Sequence, residues 1–210
     1  MLSVQNNLLM EKNIEQLLRE RRSRYALEPC KEEAMDSVER FICETLNHVP
    51  SAFNSQSTRM VLLRDGAHKR VWDAVCRRIS EVTSPEAYEK SRRKIERSFA
   101  SGSGTVLFYE DGDVVDKLKE EYPLYAAAFP AYSQHTSAMH QIVMWLLLTG
   151  EGLGASLQHY EALVAEDARL MFGLPASWHL IAQMPFGIAT DTSGEKGFRP
   201  MDERFFTFRW

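Results

Sequence analysis

The sequence has few cysteines, no long apolar run and no excess of positive charge. Cys30, Cys43 and Cys76 are scattered and form no CxxC pair, so we expect reduced thiols and not a disulfide framework. The longest apolar run covers residues 142–148, far short of the roughly 18 to 20 residues that cross a membrane. With 25 lysines and arginines against 29 aspartates and glutamates, the net charge is −4, which argues against a protein that wraps nucleic acid.

The sequence also lacks the common catalytic signatures. None of the six histidines stands four residues from another and HExxH is absent, so we expect no metal site. The patterns GxxxxGK[ST] and GxSxG are absent too, which excludes a P-loop ATPase and an α/β-hydrolase. Gly102 and Gly104 come before a predicted strand, whereas a dinucleotide-binding fingerprint follows one, so a Rossmann unit is excluded.

Length and composition indicate one ordinary folded domain. The chain has 210 residues, of which 44% are apolar and 26% are charged, and it contains neither an internal repeat nor a linker. We therefore expect a single domain over residues 1–210. Residues 1–13 do not combine a positively charged start with an apolar stretch, so we expect no signal peptide and a cytoplasmic protein.

Hydrophobic periodicity predicts an α+β fold, with helices around a small sheet. The predicted helices begin after the caps Asn13, Asp65 and Ser84 or cover residues 35–46, 133–149 and 160–172, while residues 112–135 are irregular and partly helical. The predicted strands cover residues 58–63, 105–109, 179–184 and 205–210. Residues 133–149 are apolar nearly all round, so this helix is either the centre of the domain or a subunit interface.

Three separated segments carry groups suited to a phosphate or a polar ring. Two guanidiniums and a hydroxyl follow the first helix at Arg21, Arg22 and Ser23 and could grip a phosphate. A loop rich in amides and hydroxyls covers residues 50–56, and a second cationic pair lies within residues 196–200. Each has an ordinary interpretation, as a solvated helix end, a polar loop or a surface turn. Together with three glycines in residues 150–154, they describe a site for a large planar ligand that bears a phosphate.

In this order and spacing, the RRS motif, the PSxxNSQ loop, the GLG corner and the Lys/Arg–Pro element resemble the nitroreductase family of FMN-dependent enzymes. The likeness runs from Arg21 to Arg199, and RRSRYAL, PSAFNSQSTR and EGLGASLQHY are most similar to the fatty-acid-repression-mutant branch. The resemblance implies an α+β fold with a small, mostly antiparallel sheet flanked by helices. It also implies an intertwined homodimer with two FMN sites at the subunit interface, in which the C-terminal strand is exchanged with the partner.

The resemblance further implies which residues bind FMN. The RRS segment would contact the ribityl phosphate, the loop asparagine the isoalloxazine ring, the GLG backbone the flavin, and the C-terminal cations the phosphate. The implied cofactor-binding residues are Arg21, Arg22, Ser23, Tyr25, Ser51, Asn54, Gln56, Gly152, Leu153, Gly154, Lys196 and Arg199. No catalytic side chain is implied, because the flavin itself carries the hydride chemistry.

The sequence departs from the family pattern near the flavin ring. Tyr25 stands where the family often has a basic residue, and Ser57 and Thr58 stand where it often has Pro-Trp after NSQ. Another group must then offset the charge of the reduced flavin, and Arg24 and Arg59 are the candidates. The C-terminal element also has the spacing Lys-x-x-Arg-Pro, one residue longer than the commoner form.

The resemblance implies an FMN-dependent NAD(P)H oxidoreductase that reduces nitroaromatic or quinone-like acceptors by a ping-pong hydride-transfer mechanism. Its partners would be a second copy of the chain, NAD(P)H and a small aromatic acceptor, with no nucleic acid and no membrane. One alternative is a flavin-binding protein that senses redox state or regulates lipid metabolism with little turnover. Another is a scaffold that binds no flavin.

Overall fold

Seven helices enclose one five-stranded sheet in the part of the chain that the structure describes, residues 12–210 of a computed structural model. The interpretation of residues 1–13 as lacking a signal peptide therefore lies almost wholly outside the described residues. The helices are α1 Ile14–Glu20, α2 Glu32–His48, α3 Asp65–Val82, α4 Pro85–Ser98, α5 Gly112–Glu121, α6 Phe129–Gly150 and α7 Glu161–Phe172. The strands are β1 Leu27–Glu28, β2 Thr58–Arg64, β3 Gly104–Asp111, β4 Gly154–Ala155 and β5 Trp178–Ala189. The four strand pairs are antiparallel, so the predicted α+β class with a small antiparallel sheet is confirmed.

Strand β3 is the centre of the sheet and is buried along its whole length. The strand order is β1–β5–β3–β2, and β4 also pairs with β5. Leu107 of β3 lies opposite Val61 of β2 and Gln183 of β5, so β3 has a hydrogen-bonded neighbour on each side. Because successive side chains of a strand point to opposite faces, a fully buried β3 requires that both faces of the sheet be covered.

Two hydrophobic cores cover these two faces. One joins Leu107 and Tyr109 of β3 to helices α3, α4 and α7, with Val71, Trp72, Ile95, Phe99 and Val164 among its buried members. The other joins Val106 and Phe108 of β3 to α2 and α6, with Val38, Phe41, Met144, Leu148 and Met184 among its members. The helices therefore form a layer on each side of the sheet, and one short strand supplies both cores.

Local sequence signals set several helix ends. Asn13 and Gln16 form a capping box, in which each side chain accepts a hydrogen bond from the other residue's backbone N–H at 3.0 Å. Ser84 caps α4 through its hydroxyl, and Gly173 ends α7 in the left-handed conformation with φ 63°. Asp65 is not the cap that the sequence suggested. It is the first residue of α3, with φ 48°, and the residue before it is the N-cap.

The chain is more regular between residues 112 and 189 than the sequence pattern indicated. Residues 112–135 contain α5 and the first turns of α6. Pro130 does not interrupt α6, because it lies at the start of the helix, where a proline is tolerated. Strand β5 continues to Ala189, well past its predicted end at residue 184. The added length is held by neighbours on one edge, since Gly187 lies opposite Gly154 of β4 and Ala189 lies opposite Leu27 of β1.

The predicted C-terminal strand is wrong for the chain as the structure describes it. Residues 205–210 have no regular secondary structure, and the aromatic side chains of Phe205, Phe206, Phe208 and Trp210 are exposed. A strand requires a hydrogen-bonded neighbour, and this segment pairs with none of the strands within residues 12–210. The exchange of this segment with a second copy stays a prediction.

Helix α6 lies in the core along one side and is open to solvent along another. Leu148 is fully buried, whereas Met139 is 37% exposed. Met139, Ile142, Val143 and Leu147 form, with the end of α2, a groove of about 410 Å³ that we call the apolar groove. The helix is therefore central to one core and also leaves an apolar face uncovered within a single chain. Among the described residues we find no helix with the length and hydropathy needed to span a bilayer.

Candidate functional site

The end of α1 and a segment near the C-terminus form a cleft of about 380 Å³, which we call the cationic cleft. It is lined by Arg21, Arg22, Ser23, Tyr25, Asp191, Thr192, Ser193, Gly194 and Lys196. Five residues predicted for the site therefore lie together, although four of them precede the fifth, Lys196, by about 170 positions in the sequence. Three of them are cations, and Asp191 is the one carboxylate among the lining residues.

Direct contacts hold the two sides of the cationic cleft together. Arg22 Nη2 donates to the carbonyl of Gly194 at 2.8 Å, and the backbone N–H of Tyr25 donates to Asp191 Oδ2 at 3.1 Å. Arg24 Nε lies 3.2 Å from Asp191 Oδ1. Arg24 therefore pairs with the one carboxylate of the cleft, and its part in offsetting charge on a flavin stays a prediction. The positive charge of the lining cations Arg21, Arg22 and Lys196 is left for a ligand.

Arg21 is held in place by an aromatic ring. Its guanidinium lies over the indole ring of Trp145 in α6, with the Cζ atom 4.4 Å from the ring centroid. This stacking orients the planar guanidinium and leaves its edge for hydrogen bonds. Burial lowers the pKa of Arg21, and the neighbouring charge of Arg22 lowers it further. An anion in the cleft would relieve both unfavourable effects.

The glycine corner after α6 lies against the same cleft. Ser23 bridges to Ala155, and the backbone N–H of Arg24 donates to the carbonyl of Ala155 at 2.9 Å. Gly154 is required by packing, because a Cβ there would stand 2.6 Å from the Cβ of Ala189. Gly152 has φ 79° and open space where a Cβ would be, so a ligand can approach its backbone.

Leu153 has a different role from its two neighbours in the predicted set. Its side chain is 5% exposed and packs in the core between the sheet and α6. Its backbone N–H donates to the carbonyl of Leu148 at 2.9 Å, which closes the end of the helix. Leu153 therefore anchors the glycine corner in the core, and Gly152 is the residue of the corner whose backbone is open to a ligand.

The polar loop, residues 51–56, has an unusual backbone. Phe53, Asn54 and Gln56 have φ values of 56°, 52° and 51°, in the left-handed region that residues other than glycine rarely adopt. The hydroxyl of Ser51 accepts from the backbone N–H of Gln56 at 2.9 Å, and its carbonyl accepts from that of Asn54 at 3.0 Å. The loop is thus a closed turn with a defined conformation.

The polar loop does not lie near the cationic cleft within one chain. Phe53 packs on Phe129, the first residue of α6, with ring centroids 5.3 Å apart. Arg21 contacts Trp145, in the last third of the same helix. At 1.5 Å per residue, these two contacts lie about 24 Å apart along α6. The predicted site is therefore split into two parts, with Ser51, Asn54 and Gln56 in one and the cationic cleft with its glycine corner in the other.

Arg199 belongs to neither part. It is exposed and does not line the cationic cleft, whereas Lys196 does. The second candidate for offsetting flavin charge, Arg59, is also engaged. Its Nη2 pairs with Asp111 Oδ2 at 2.9 Å, and its Nη1 donates to the carbonyl of Gln56 at 2.6 Å. Arg59 is therefore committed to holding the end of the polar loop.

Sequence reasoning missed one buried acid next to the polar loop. Glu110, near the end of β3, is 2% exposed and accepts hydrogen bonds from the hydroxyls of Ser57 and Thr58, each at 2.6 Å. Burial raises the pKa of Glu110, and these two hydrogen bonds act in the opposite direction. The available signal was a carboxylate that directly follows the apolar run TVLFY, since a charged residue is seldom buried without a partner.

The chain is similar to known proteins over most of its length. The family model described as "Nitroreductase family" matches residues 18–188. The nitroreductase FRM2 of Saccharomyces cerevisiae is 38% identical over 180 residues, which cover 85% of this chain and 89% of that protein. The yeast protein HBN1 is 37% identical over 188 residues, which cover 89% of this chain and 93% of that protein.

Solved structures show the same likeness. Nitroreductase CinD from Lactococcus lactis, solved in complex with chloramphenicol, superposes with a TM-score of 0.85 at 33% identity, covering 94% of this chain and 100% of that chain. A second CinD structure contains 4-nitrophenol. At 15% identity, the FMN-dependent nitroreductase NfnB from Mycobacterium smegmatis, in complex with NADPH, shares the fold with a TM-score of 0.71 over 93% of this chain and 97% of its own.

These findings agree with the arrangement of the motifs. The family match contains the RRS segment, the polar loop and the glycine corner, and it ends before Lys196. The likeness to the two yeast proteins and to CinD extends over nearly the whole length of each of these proteins. On the order of its motifs, its fold and these likenesses, the chain belongs to the nitroreductase family of oxidoreductases.

Proposed function

We propose that this chain is a single-domain, FMN-dependent NAD(P)H oxidoreductase that reduces nitroaromatic or quinone-like acceptors. The observation that carries the proposal is the cationic cleft, with Arg21, Arg22 and Lys196 around one carboxylate that Arg24 already occupies. Such a surplus of donors is suited to a phosphate dianion. The relatives' names and the ligands of CinD and NfnB support the same activity.

The residues present fit an FMN molecule. Arg21, Arg22 and Lys196 would hold its phosphate, and the exposed backbone at Gly152 lets a flat ring approach closely. Bound FMN supplies the hydride chemistry. The task of the chain is then to bind the phosphate, orient the ring and keep one ring face open for reactants.

The split of the site supports a homodimer. Because the polar loop and the cationic cleft lie about 24 Å apart along α6, one FMN cannot contact both parts of the same chain. We infer that the polar loop of a second copy completes each site, so that Asn54 reaches the ring from the partner. The apolar groove and the exposed aromatic residues of 205–210 are surfaces that such a partner would cover.

The surroundings of the polar loop suit flat aromatic acceptors. Phe53 is 48% exposed and stands among Tyr122, Tyr125 and Phe129, with ring centroids 4.7 to 5.7 Å away. Exposed rings of this kind stack on planar ligands. Chloramphenicol and 4-nitrophenol, the ligands of CinD, both carry a nitrophenyl ring. We therefore propose nitroaromatic or quinone-like compounds as the acceptors.

We propose a ping-pong order of reaction. The described sheet is antiparallel and offers no parallel βαβ unit to hold a dinucleotide, so NAD(P)H and the acceptor would use one open ring face in turn. Initial rates at several fixed acceptor concentrations should give parallel double-reciprocal lines. Intersecting lines would mean that both reactants bind together and that a second nucleotide site exists.

The decisive experiment is spectroscopic. The purified protein should be yellow, with one FMN per chain that denaturation releases and chromatography distinguishes from FAD. Addition of NADPH or NADH should bleach the flavin band, and a nitroaromatic acceptor should restore it over many turnovers. A protein that stays colourless and takes up no added FMN would refute the proposal.

One observation favours a second candidate, a redox sensor with little turnover. Arg24 and Arg59, the two cations expected to offset charge on a reduced flavin, are both paired with carboxylates. Without such a cation the anionic reduced flavin is less well stabilised, so its reduction by NAD(P)H would be less favourable. The same bleaching experiment separates the two functions, since a sensor of this kind would be reduced by NAD(P)H only slowly and would complete few turnovers with any acceptor.

A further inference from the structure

The polar loop needs an external support to keep its conformation. Left-handed φ values at Phe53, Asn54 and Gln56 are unfavourable and persist only where the surroundings impose them. Within the loop, one side chain contributes, because Ser51 Oγ accepts from the backbone N–H of Gln56. Further support comes from Arg59, which donates to the carbonyl of Gln56, from the ring of Phe53 against Phe129, and from the exit of the loop at residues 57–58.

Glu110 provides that support from β3. Its Oε2 accepts from Ser57 Oγ and its Oε1 accepts from Thr58 Oγ1, both at 2.6 Å, and the three residues are at least 96% buried. Thr58 lies directly opposite Glu110 in the β2–β3 pair, so the sheet register sets this geometry. The two distances of 2.6 Å are at the short end of the range for O–H···O hydrogen bonds, and burial keeps water from competing for either oxygen.

Other groups lock the same corner. The backbone N–H of Asp111 donates to the carbonyl of Ser57 at 2.9 Å, and Asp111 also pairs with Arg59. On the α6 side, His140 is buried with its Nδ1 2.9 Å from the carbonyl of Thr136 and 3.5 Å from Thr58 Oγ1. The charged and titratable groups near Glu110 are therefore Arg59, Asp111 and His140, together with His179, which lies opposite Glu110 in the β3–β5 pair. Glu110 is the one that binds both hydroxyls at the loop exit.

We propose that Glu110 is a positioning residue that fixes the polar loop through Ser57 and Thr58 and so presents Asn54 to the flavin. The inference rests on the proposed function. It also explains the departure of Ser57 and Thr58 from the Pro-Trp pattern of the family, since proline and tryptophan have no hydroxyl to donate to this carboxylate. In this chain a buried acid supports the exit of the loop.

The first test uses the protein without flavin. In Glu110→Ala, amide hydrogen exchange in the peptide that contains residues 51–56 should become at least tenfold faster than in wild type. The control is Thr105→Val, which removes a buried hydrogen-bonding hydroxyl at the other end of β3, where it binds His68 and Trp72. An equal rise in exchange in both variants would show that Glu110 has only a general structural role.

The second test uses the protein with FMN bound. Single-turnover flavin reduction by NADPH should slow at least tenfold in Glu110→Ala, and Glu110→Gln, which keeps one acceptor oxygen, should lie between that variant and wild type. Adding Asn54→Ala to Glu110→Ala should slow reduction no further, because both changes act through one loop. Multiplied effects, or wild-type reduction in Glu110→Ala, would overturn the inference.

A milder pair of variants covers the case in which Glu110→Ala does not fold. Ser57→Ala and Thr58→Val each remove one donor and leave the carboxylate its other partner. Each should speed exchange in the polar loop and slow flavin reduction, and wild-type values in both would refute the role of Glu110. A wild-type protein without FMN refutes the proposed function first, whereas bound FMN with unaltered variants refutes the inference alone.

Discussion

Arg21→Ala should weaken FMN binding without unfolding the protein. The guanidinium lies in the cationic cleft over Trp145, and within residues 12–210 it has no carboxylate partner, so its removal breaks no ion pair there. The matched control is Arg19→Ala. Arg19 lies two residues earlier, is 77% exposed, and pairs with Glu15 at the surface, so it carries the same charge outside the cleft.

The size of the effect follows from the kind of contact that is lost. Hydrogen bonds to a charged group contribute about 1.5 to 3 kcal/mol, and 1.4 kcal/mol corresponds to a factor of ten. The dissociation constant of FMN should therefore rise roughly 10- to 100-fold in Arg21→Ala. Arg21→Lys should fall in between, because lysine keeps the charge but loses the planar guanidinium that stacks on Trp145. Arg19→Ala should change binding by less than about twofold, since exposed charges are screened by salt.

The assay is quenching of flavin fluorescence, measured with FMN and with riboflavin. Riboflavin lacks the phosphate, so its binding should respond little to Arg21→Ala, and the preference for FMN should shrink by the full factor. Equal weakening of both ligands would place Arg21 against the ring or in the fold. An unchanged FMN affinity, or one that falls as much in Arg19→Ala, would refute the assignment of the phosphate site.

Three further outcomes are expected. Burial lowers the pKa of His68 to about 4, below its usual 6.5, so its contribution to stability is present above pH 6.5 and is lost towards pH 4. In urea unfolding, this loss of stability on acidification should amount to about 3 kcal/mol. It should be absent in His68→Gln and kept in the control His48→Gln, since His48 is exposed. Gly154→Ala should cost about 1 to 3 kcal/mol in the same assay, because its Cβ would overlap a neighbouring Cβ, whereas Gly66→Ala meets open space and should be nearly neutral. Deletion of residues 204–210 should release FMN and dissociate the proposed dimer, and a truncated protein that stays yellow and dimeric by light scattering would contradict the proposed exchange of the tail.

The sequence carried most of the fold because the relevant signals are local. The capping box at Asn13, the proline at the start of α4 and the apolar run of β3 each depend on neighbouring residues, and each appears in the structure. The RRS segment and Lys196 were grouped by chemistry and by a family resemblance, and the cationic cleft brings them together.

The features that the sequence did not predict are contacts between residues that are far apart in the chain. The split between the polar loop and the cationic cleft appears only when both are placed along α6, because spacing in the sequence carries no information on it. The engagement of Arg24 and Arg59 with carboxylates likewise joins residues far apart in the chain. The composition of residues 205–210 favours a strand, and this led to the wrong prediction for the single chain. A strand also needs a hydrogen-bonded neighbour, which composition does not reveal.

The cationic cleft joins two ends of the chain, through contacts such as Arg22 with Gly194, which are 172 residues apart. Contacts between residues so far apart in the sequence form only when the rest of the domain brings the two segments together, so the cleft is a feature of the folded domain and not of a local segment. An anion bound in the cleft contacts both segments, so it stabilises the folded domain by an amount that rises with the concentration of the free anion. In a cell, the supply of flavin would then govern how much of this protein survives proteolysis as well as how much of it is active.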